Sequence, residues 1–131
     1  MAETFLLNLV TPEQSFFSGQ VQELVAPGSL GEFGVLPGHA GMLAGLKAGR
    51  LIYRDDQGET TLLAGGGFAE VTGDRVTVLL DDAVLVEDLD TAALDAEIAR
   101  LEEAAPEPGE DGYEENRKLL EWKQFCREQA K

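Results

Sequence analysis

The sequence has one cysteine, one histidine and no long apolar run, and each scarcity removes a class of protein. Cys126 cannot form a disulfide within the chain, and a single histidine leaves no clustered ligands for structural zinc. The longest apolar runs, residues 6–10 and 76–80, fall far short of the ~20 residues that span a bilayer. We therefore expect a soluble protein of a reducing compartment.

Positive charge is also scarce, because 25 acidic side chains face 10 basic ones and give a net charge of -15. Such a chain repels phosphate backbones and anionic lipids, so we expect no nucleic-acid partner and no direct insertion into a membrane. The start at Met1, Ala2 and Glu3 has neither a basic region nor an apolar signal core. This start predicts the cytoplasmic side of a bacterial cell.

Short apolar runs separated by Gly, Pro and Asp predict an all-β N-terminal half. Residues 50–55 and 59–64 form one predicted hairpin, and residues 68–72 and 75–80 form another. In the last of these runs Val76, Val78 and Leu80 share one face, which predicts a core-facing side. The spacing of such runs indicates a β-sandwich of about ten strands in a domain of residues 1–87.

The hydrophobic period changes from two to about 3.6 after Glu87, which predicts a C-terminal helical domain of residues 88–131. Asp90 is the expected N-cap of a first helix over residues 91–105. The Pro- and Gly-containing residues 106–110 cannot continue that helix. We expect a second, antiparallel helix over residues 113–131, opened by a capping box between Asp111 and Glu114.

The second helix is locally basic, with five basic and four acidic side chains in residues 113–131 of an otherwise acidic chain. Two interpretations stay open for this charge. The basic side chains form a solvent-exposed face and pair with neighbouring glutamates, or they bind an acidic partner surface. The five basic side chains are Arg117, Lys118, Lys123, Arg127 and Lys131, and the first four are the candidate regulatory residues.

No pattern assembles a catalytic or metal site. The Gly65, Gly66 and Gly67 run lacks the Lys-Ser or Lys-Thr pair of a phosphate loop. His39 has no serine or cysteine placed by sequence as a nucleophile. A small hydrolase that uses His39 with an acidic residue therefore remains only an alternative hypothesis.

Four segments in order give the chain a family resemblance over nearly its whole length. They are residues 11–19, residues 31–40 with the run Gly-Glu-x-Gly-x-x-Pro-Gly-His-Ala, residues 65–71, and residues 74–83 with a Val-Thr-Val core. In these segments the chain resembles the epsilon subunits of bacterial F-type ATP synthases. The resemblance implies a ten-strand sandwich followed by a helical hairpin, in a subunit that is itself non-catalytic.

The resemblance also implies partners and their positions. The sandwich is expected to clamp the gamma subunit of the central stalk to the c-subunit ring, at the cytoplasmic face of the bacterial inner membrane. Glu32 matches the family residue that approaches the polar loops of the ring, and His39 lies in the segment next to the stalk. Phe33 and Met42 are their expected apolar neighbours.

The C-terminal hairpin is expected to reach the alpha and beta subunits of the catalytic head and block ATP hydrolysis, with the basic residues of its second helix facing an acidic stretch. A passive brace is the alternative. Some relatives bind ATP through an Asp-x-x-Arg motif at the start of the first helix. Here Asp90 is kept but Ala93 replaces the arginine, so we expect no nucleotide site and no cofactor.

Overall fold

A computed structural model describes residues 3–130 and contains eight strands and two α-helices among them. Its contacts divide the chain into two compact units, one up to Leu85 and one from Val86 onward. The strands of the first unit are β1 (Phe5–Val10), β2 (Ser15–Val21), β3 (Glu23–Gly28), β4 (Gly31–Val35), β5 (Met42–Asp55), β6 (Gly58–Thr72), β7 (Arg75–Leu80) and β8 (Ala83–Leu85). The second unit holds a 3-10 turn (Val86–Asp88), α1 (Thr91–Glu103) and α2 (Tyr113–Gln129).

The eight strands form a β-sandwich from one continuous sheet in the order β2-β1-β7-β6-β5-β3-β4, with β8 paired to β6. All strand pairs are antiparallel except β1 with β7. The sheet folds back over itself, since Phe17 of β2 stacks on Tyr53 of β5, a strand four places away in the order, with ring centroids 4.4 Å apart. The predicted β-sandwich is confirmed.

The count of about ten strands was too high, because β5 and β6 each run without a break through both layers. Their pairing extends from Met42 opposite Val71 to the turn at Asp55 and Gly58, and is interrupted only at Lys47 and Gly66. One part of β6 pairs with β8 and the other with β7. Counting each long strand as two gives the ten that the spacing of apolar runs predicted.

The core lies between the two layers and is built by alternation along each strand. Val76, Val78 and Leu80 are buried, as predicted, and Leu79 between them is 42% exposed. Both predicted hairpins are present, with Arg50 opposite Leu63 in one and Thr72 opposite Arg75 in the other. In β1 the same alternation buries Phe5, Leu7 and Leu9 and turns Leu6 and Asn8 outward.

The second unit is an antiparallel helical hairpin, as predicted. The carboxylate of Asp90 caps α1 by accepting a hydrogen bond from the backbone N–H of Ala93 at 3.1 Å, which confirms the expected N-cap. The α1 helix ends at Glu103, because the two prolines that follow end it slightly before the predicted residue 105. Lys131, the predicted end of the second helix, lies outside the described residues.

The predicted capping box of α2 is wrong. Gly112, not Asp111, is the N-cap, and its φ of 84° lies in the left-handed region that glycine adopts readily. No side chain caps this helix. Glu114 and Glu115 stabilise the first turn instead, because negative charge interacts favourably with the positive N-terminal end of the helix dipole.

The backbone of Leu79 approaches Gly67 too closely for any side chain at that position. Replacement of Gly67 tests the kink in β6, which lies where its pairing with β5 is interrupted. A Cβ at this position would lie 1.9 Å from the backbone oxygen of Leu79, and its φ is +133°. We expect Gly67→Ala to lower the free energy of unfolding by about 3 kcal/mol, from overlap plus backbone strain. Urea unfolding followed by circular dichroism measures this loss.

Gly58→Ala is the matched control, because Gly58 also has a positive φ (+119°) but a Cβ there meets no atom within 4 Å. This control should lose only about 1 kcal/mol, the cost of backbone strain alone. Equal losses in the two variants would contradict the steric account of the kink.

Candidate functional site

The β3–β4 hairpin places Glu32 and Phe33 on opposite faces of β4. Glu32 is exposed opposite Pro27, and Phe33 is half-buried opposite Ala26, where it packs against the core. The Phe33 ring also covers Gly28, since a Cβ on Gly28 would lie 2.9 Å from the ring. Leu30 at the tip of this hairpin is fully exposed. This end of the sandwich therefore exposes the carboxylate of Glu32 and the side chain of Leu30 to solvent.

His39 lies in the loop between β4 and β5, and Met42 begins β5. The backbone N–H of His39 donates to the carbonyl oxygen of Leu36 at 3.1 Å, and the ring Nδ1 lies 2.6 Å from the carbonyl oxygen of Ala40. Both bonds fix the loop and engage no nucleophile. Met42 packs against the core, as Phe33 does. The structure thus divides the four predicted residues between two that pack inward and two polar ones at the surface.

An apolar row, defined here as the half-buried Val10 and the exposed Leu79 and Phe68, crosses the outer face of β1, β7 and β6. The strand registers place Val10 beside Leu79 and Leu79 beside Phe68. Leu79 and Phe68 are 42% and 49% exposed. Leu43 on β5, which is 72% exposed and opposite Glu70, extends the apolar area.

The sequence alone did not reveal this row, because it depends on parallel pairing between distant β1 and β7. The only signal was Leu79 at an outward position of a strand whose other face is the core. Apolar surface of this kind, bordered by polar residues, is typical of a protein-binding site.

A groove of about 970 Å³ connects this outer face to the His39 loop. Pro37 and Gly38 line it on one side, and outward residues of β1, β6 and β7 line it on the other. Its charged wall residues are Glu3, Glu70, Asp74 and Arg75. The groove brings the segment next to His39 beside the sheet face that carries the apolar row.

The basic residues of α2 differ in their partners. Arg117 pairs within its own helix, with Glu114 at 2.8 Å and with Glu121. Lys123 and Arg127 instead pair across the hairpin with acids of α1. Lys118 makes no ion pair with the residues that the structure describes.

Two features are absent from residues 3–130, a metal-binding cluster and a membrane-spanning helix. No group of three or more His, Cys, Asp or Glu side chains is placed there to hold a metal ion. None of the helices in that range is long and apolar enough to cross a membrane. The start of α1 contains the capping bond from Ala93 to Asp90, and Ala93 supplies no guanidinium for a phosphate.

Comparisons with known proteins identify the family of the chain. Residues 4–86 match the family model described as the β-sandwich domain of the ATP synthase delta/epsilon chain. The ATP synthase epsilon chain of Geotalea uraniireducens is 44% identical over 104 residues, which cover 79% of this chain and 75% of that one. The chain belongs to the ATP synthase delta/epsilon family. The ATP synthase epsilon chain of Maricaulis maris is also similar, at 40% identity over 79% of this chain and 77% of that one.

Chains from solved ATP synthase structures share the fold at low sequence identity. A chain of the Euglena gracilis mitochondrial ATP synthase matches with a TM-score of 0.70 and 23% identity, covering 97% of this chain and 80% of that one. A chain from the central stalk and c-ring structure of the Tetrahymena thermophila mitochondrial ATP synthase matches with a TM-score of 0.61 and 13% identity, over 99% and 98%. At these identities the likeness establishes the fold.

The pairing of Arg117 with Glu114 predicts a measurable titration. The hydrogen bond from Arg117 lowers the pKa of Glu114, and the same bond raises the pKa of Arg117. A lowered pKa means that the pair stabilises the helix above the ordinary carboxyl range and is lost as pH falls through the folded pKa. We expect Arg117→Gln to raise the pKa of Glu114, as carbon-detected NMR titration would measure.

Lys118→Gln is the control for that titration, because Lys118 lowers the pKa of Glu114 only through space and as the weakest contribution. Its effect on the pKa should be the smaller of the two. A Glu114 pKa that stays where it is in Arg117→Gln would show that the pair is absent in solution.

Proposed function

We propose that the chain is a non-catalytic rotor and regulatory subunit of a bacterial F-type ATP synthase. In this proposal its β-sandwich joins a gamma-type stalk subunit to the ring of c subunits, and its helical hairpin restrains ATP hydrolysis by the head. Membership of the ATP synthase delta/epsilon family carries the proposal. In the same proposal the chain lies at the cytoplasmic face of the cell membrane as part of the complex, and it couples proton-driven rotation of the ring to ATP synthesis.

The outer face of β1, β6 and β7 is the surface we propose for the stalk. Its apolar row exposes side chains that water solvates poorly, and covering them releases free energy in proportion to the area removed from water. The groove beside it reaches the His39 loop, which is the segment expected near the stalk. Pro37 and Gly38, the residues just before His39, therefore lie beside the sheet face that carries the apolar row.

The tip of the β3–β4 hairpin is the surface we propose for the ring. Glu32 offers a carboxylate to polar loops, and Leu30 two residues before it is fully exposed. A charged group beside an apolar one suits a contact that must be specific without being large. The backbone N–H of Ser29 bonds to the carbonyl oxygen of Gly45 at 2.9 Å, which holds the tip in place.

The hairpin supports inhibition through the basic residues of α2, the region of positive net charge in an acidic chain. The passive brace remains the second candidate, favoured by the ion pairs that already occupy three of the four cations. A brace needs these pairs only within the hairpin, whereas an inhibitor also presents the cations to an acidic partner. Activity of the assembled head separates the two.

Removal of residues 106–131 tests the inhibitory role. We expect the truncated chain to assemble and the ATPase rate of the head to rise about 5-fold or more, a typical size for coupling between sites. Steady-state hydrolysis by heads reconstituted with equal amounts of either chain measures this effect. An unchanged rate with normal assembly would reject inhibition and leave the brace.

Charge reversal at Arg117, Lys118, Lys123 and Arg127 to glutamate should reproduce the gain in rate. Reversal at Glu102 and Glu103 to lysine is its control, since these exposed α1 residues make no ion pair among the described residues. A brace would respond weakly to both sets.

Replacement of Phe68 and Leu79 by threonine tests the stalk surface. Threonine keeps the β propensity and the fold, while the loss of two exposed apolar side chains should weaken binding to a gamma-type subunit about 10-fold or more. Isothermal titration calorimetry with the purified stalk subunit measures the change. Leu119→Gln, which removes a leucine of similar exposure (43%) from α2, should leave this affinity unaltered. Equal affinities for wild type and the threonine variant would place the stalk elsewhere.

A further inference from the structure

Three polar contacts tie α1 to α2 along one side of the hairpin. The side-chain amide of Asn116 donates to the backbone oxygen of Leu101 at 3.2 Å. Further along, Lys123 lies 3.2 Å from Glu97 and Arg127 lies 2.7 Å from Asp95. Each of the three contacts joins a residue of α1 to a residue of α2. Separation of the helices therefore breaks all three.

The two cross-helix cations differ from Arg117 in what separation does to them. Arg117 keeps Glu114 and Glu121 as partners whether or not α1 is near, because all three lie on α2. Lys123 and Arg127 lose their acids on separation and become free to bind another carboxylate. Hairpin closure therefore controls two of the four cations.

The α1 side of these pairs has the same chemistry as the partner proposed for α2. Residues 87–112 carry ten acidic side chains and one basic one. Lys123 is also the more sheltered cation, with 24% of its side chain exposed against 45% for Arg117. An acidic protein surface that approaches the closed hairpin meets a cation already neutralised, with further negative charge beside it.

We propose that Asp95 and Glu97 compete with an acidic protein surface for Arg127 and Lys123, so that α1 acts as an internal substitute for that surface. This inference rests on the proposed inhibitory function. It identifies Asp95 and Glu97 as the residues that oppose inhibition. Exposed ion pairs are weak, so each shifts the balance only about 1.5- to 5-fold. An external partner of similar chemistry can therefore displace the internal one.

The test is a chain with Asp95→Asn and Glu97→Gln, which removes both charges and keeps the side-chain shapes. We expect amide hydrogen exchange in α2 of the full-length chain to quicken about 3- to 10-fold, because two weak pairs are lost. We also expect the concentration that half-inhibits hydrolysis by the head to fall by a similar factor. Glu87→Gln with Asp88→Asn removes one exposed Asp and one exposed Glu before α1 and should change neither measurement.

A charge swap, Lys123→Glu with Glu97→Lys, gives an independent arm. The swap keeps an attractive pair across the hairpin, so exchange in α2 should stay near the wild-type rate. It also replaces a cation of α2 by a carboxylate, so inhibition should weaken. Stronger inhibition by the swapped chain would overturn the competition.

Either of two results would overturn the competition. In the first, amide exchange in α2 is as slow in the Asp95→Asn, Glu97→Gln chain as in its control. In the second, exchange quickens but the concentration that half-inhibits hydrolysis stays the same. Failure of the proposed function looks different. In that case removal of residues 106–131 leaves hydrolysis unchanged, even though the double variant exchanges faster. The two failures are therefore distinguishable in one set of heads.

Discussion

The pairing of β5 with β6 is the constraint on which the rest of the sandwich depends. This single ladder extends from Met42 to Asp55 on one strand and from Gly58 to Val71 on the other, and it serves both layers. The other strands attach to its two sides, with β3 on β5 and with β7 and β8 on β6. Because two long strands must turn between layers together, the pairing lapses at Lys47 and Gly66, next to the glycine that the backbone of Leu79 approaches. The surface proposed for the stalk depends on that arrangement, since the outward face of β6 carries Phe68.

The helical hairpin follows a different rule, because few of its side chains are fully buried and charge does much of the pairing. Leu94 and Cys126 are buried in α1 and α2, and the rings of Trp122 and Phe125 stack with centroids 6.0 Å apart. The ion pairs across the hairpin are partly exposed and therefore individually weak. Because these ion pairs are weak, the helices can separate and bind another surface with a small change in free energy. A regulatory element needs this property.

The sequence predicted most clearly what depends on neighbours along the chain. Asp90 is recognisable as an N-cap because its side chain acts three residues away, and the hairpin of residues 68–72 and 75–80 is recognisable because its tight turn contains Gly73, whose φ is 58°. Gly112 was missed in favour of Asp111, since an acidic residue before a helix resembles a cap whatever its backbone does. The strand count failed because apolar runs mark segments and do not show whether two segments join through a kink.

Contacts between distant segments account for the rest. The apolar row requires the parallel register of β1 on β7, and the pairing of Arg127 with Asp95 requires the register of the two helices. Neither register follows from local pattern. The roles of Glu32 and His39 came from family resemblance alone, and the structure adds their positions: one on an exposed strand face, the other in a loop beside the groove.

Binding to the stalk tests the central claim most directly, namely that this chain acts through the surfaces it offers to neighbouring subunits. The full-length chain and a purified gamma-type stalk subunit from the same organism would be mixed and separated by gel filtration with light scattering. The account predicts a stable complex of one copy of each. Separate elution of the two proteins at micromolar concentration would contradict it.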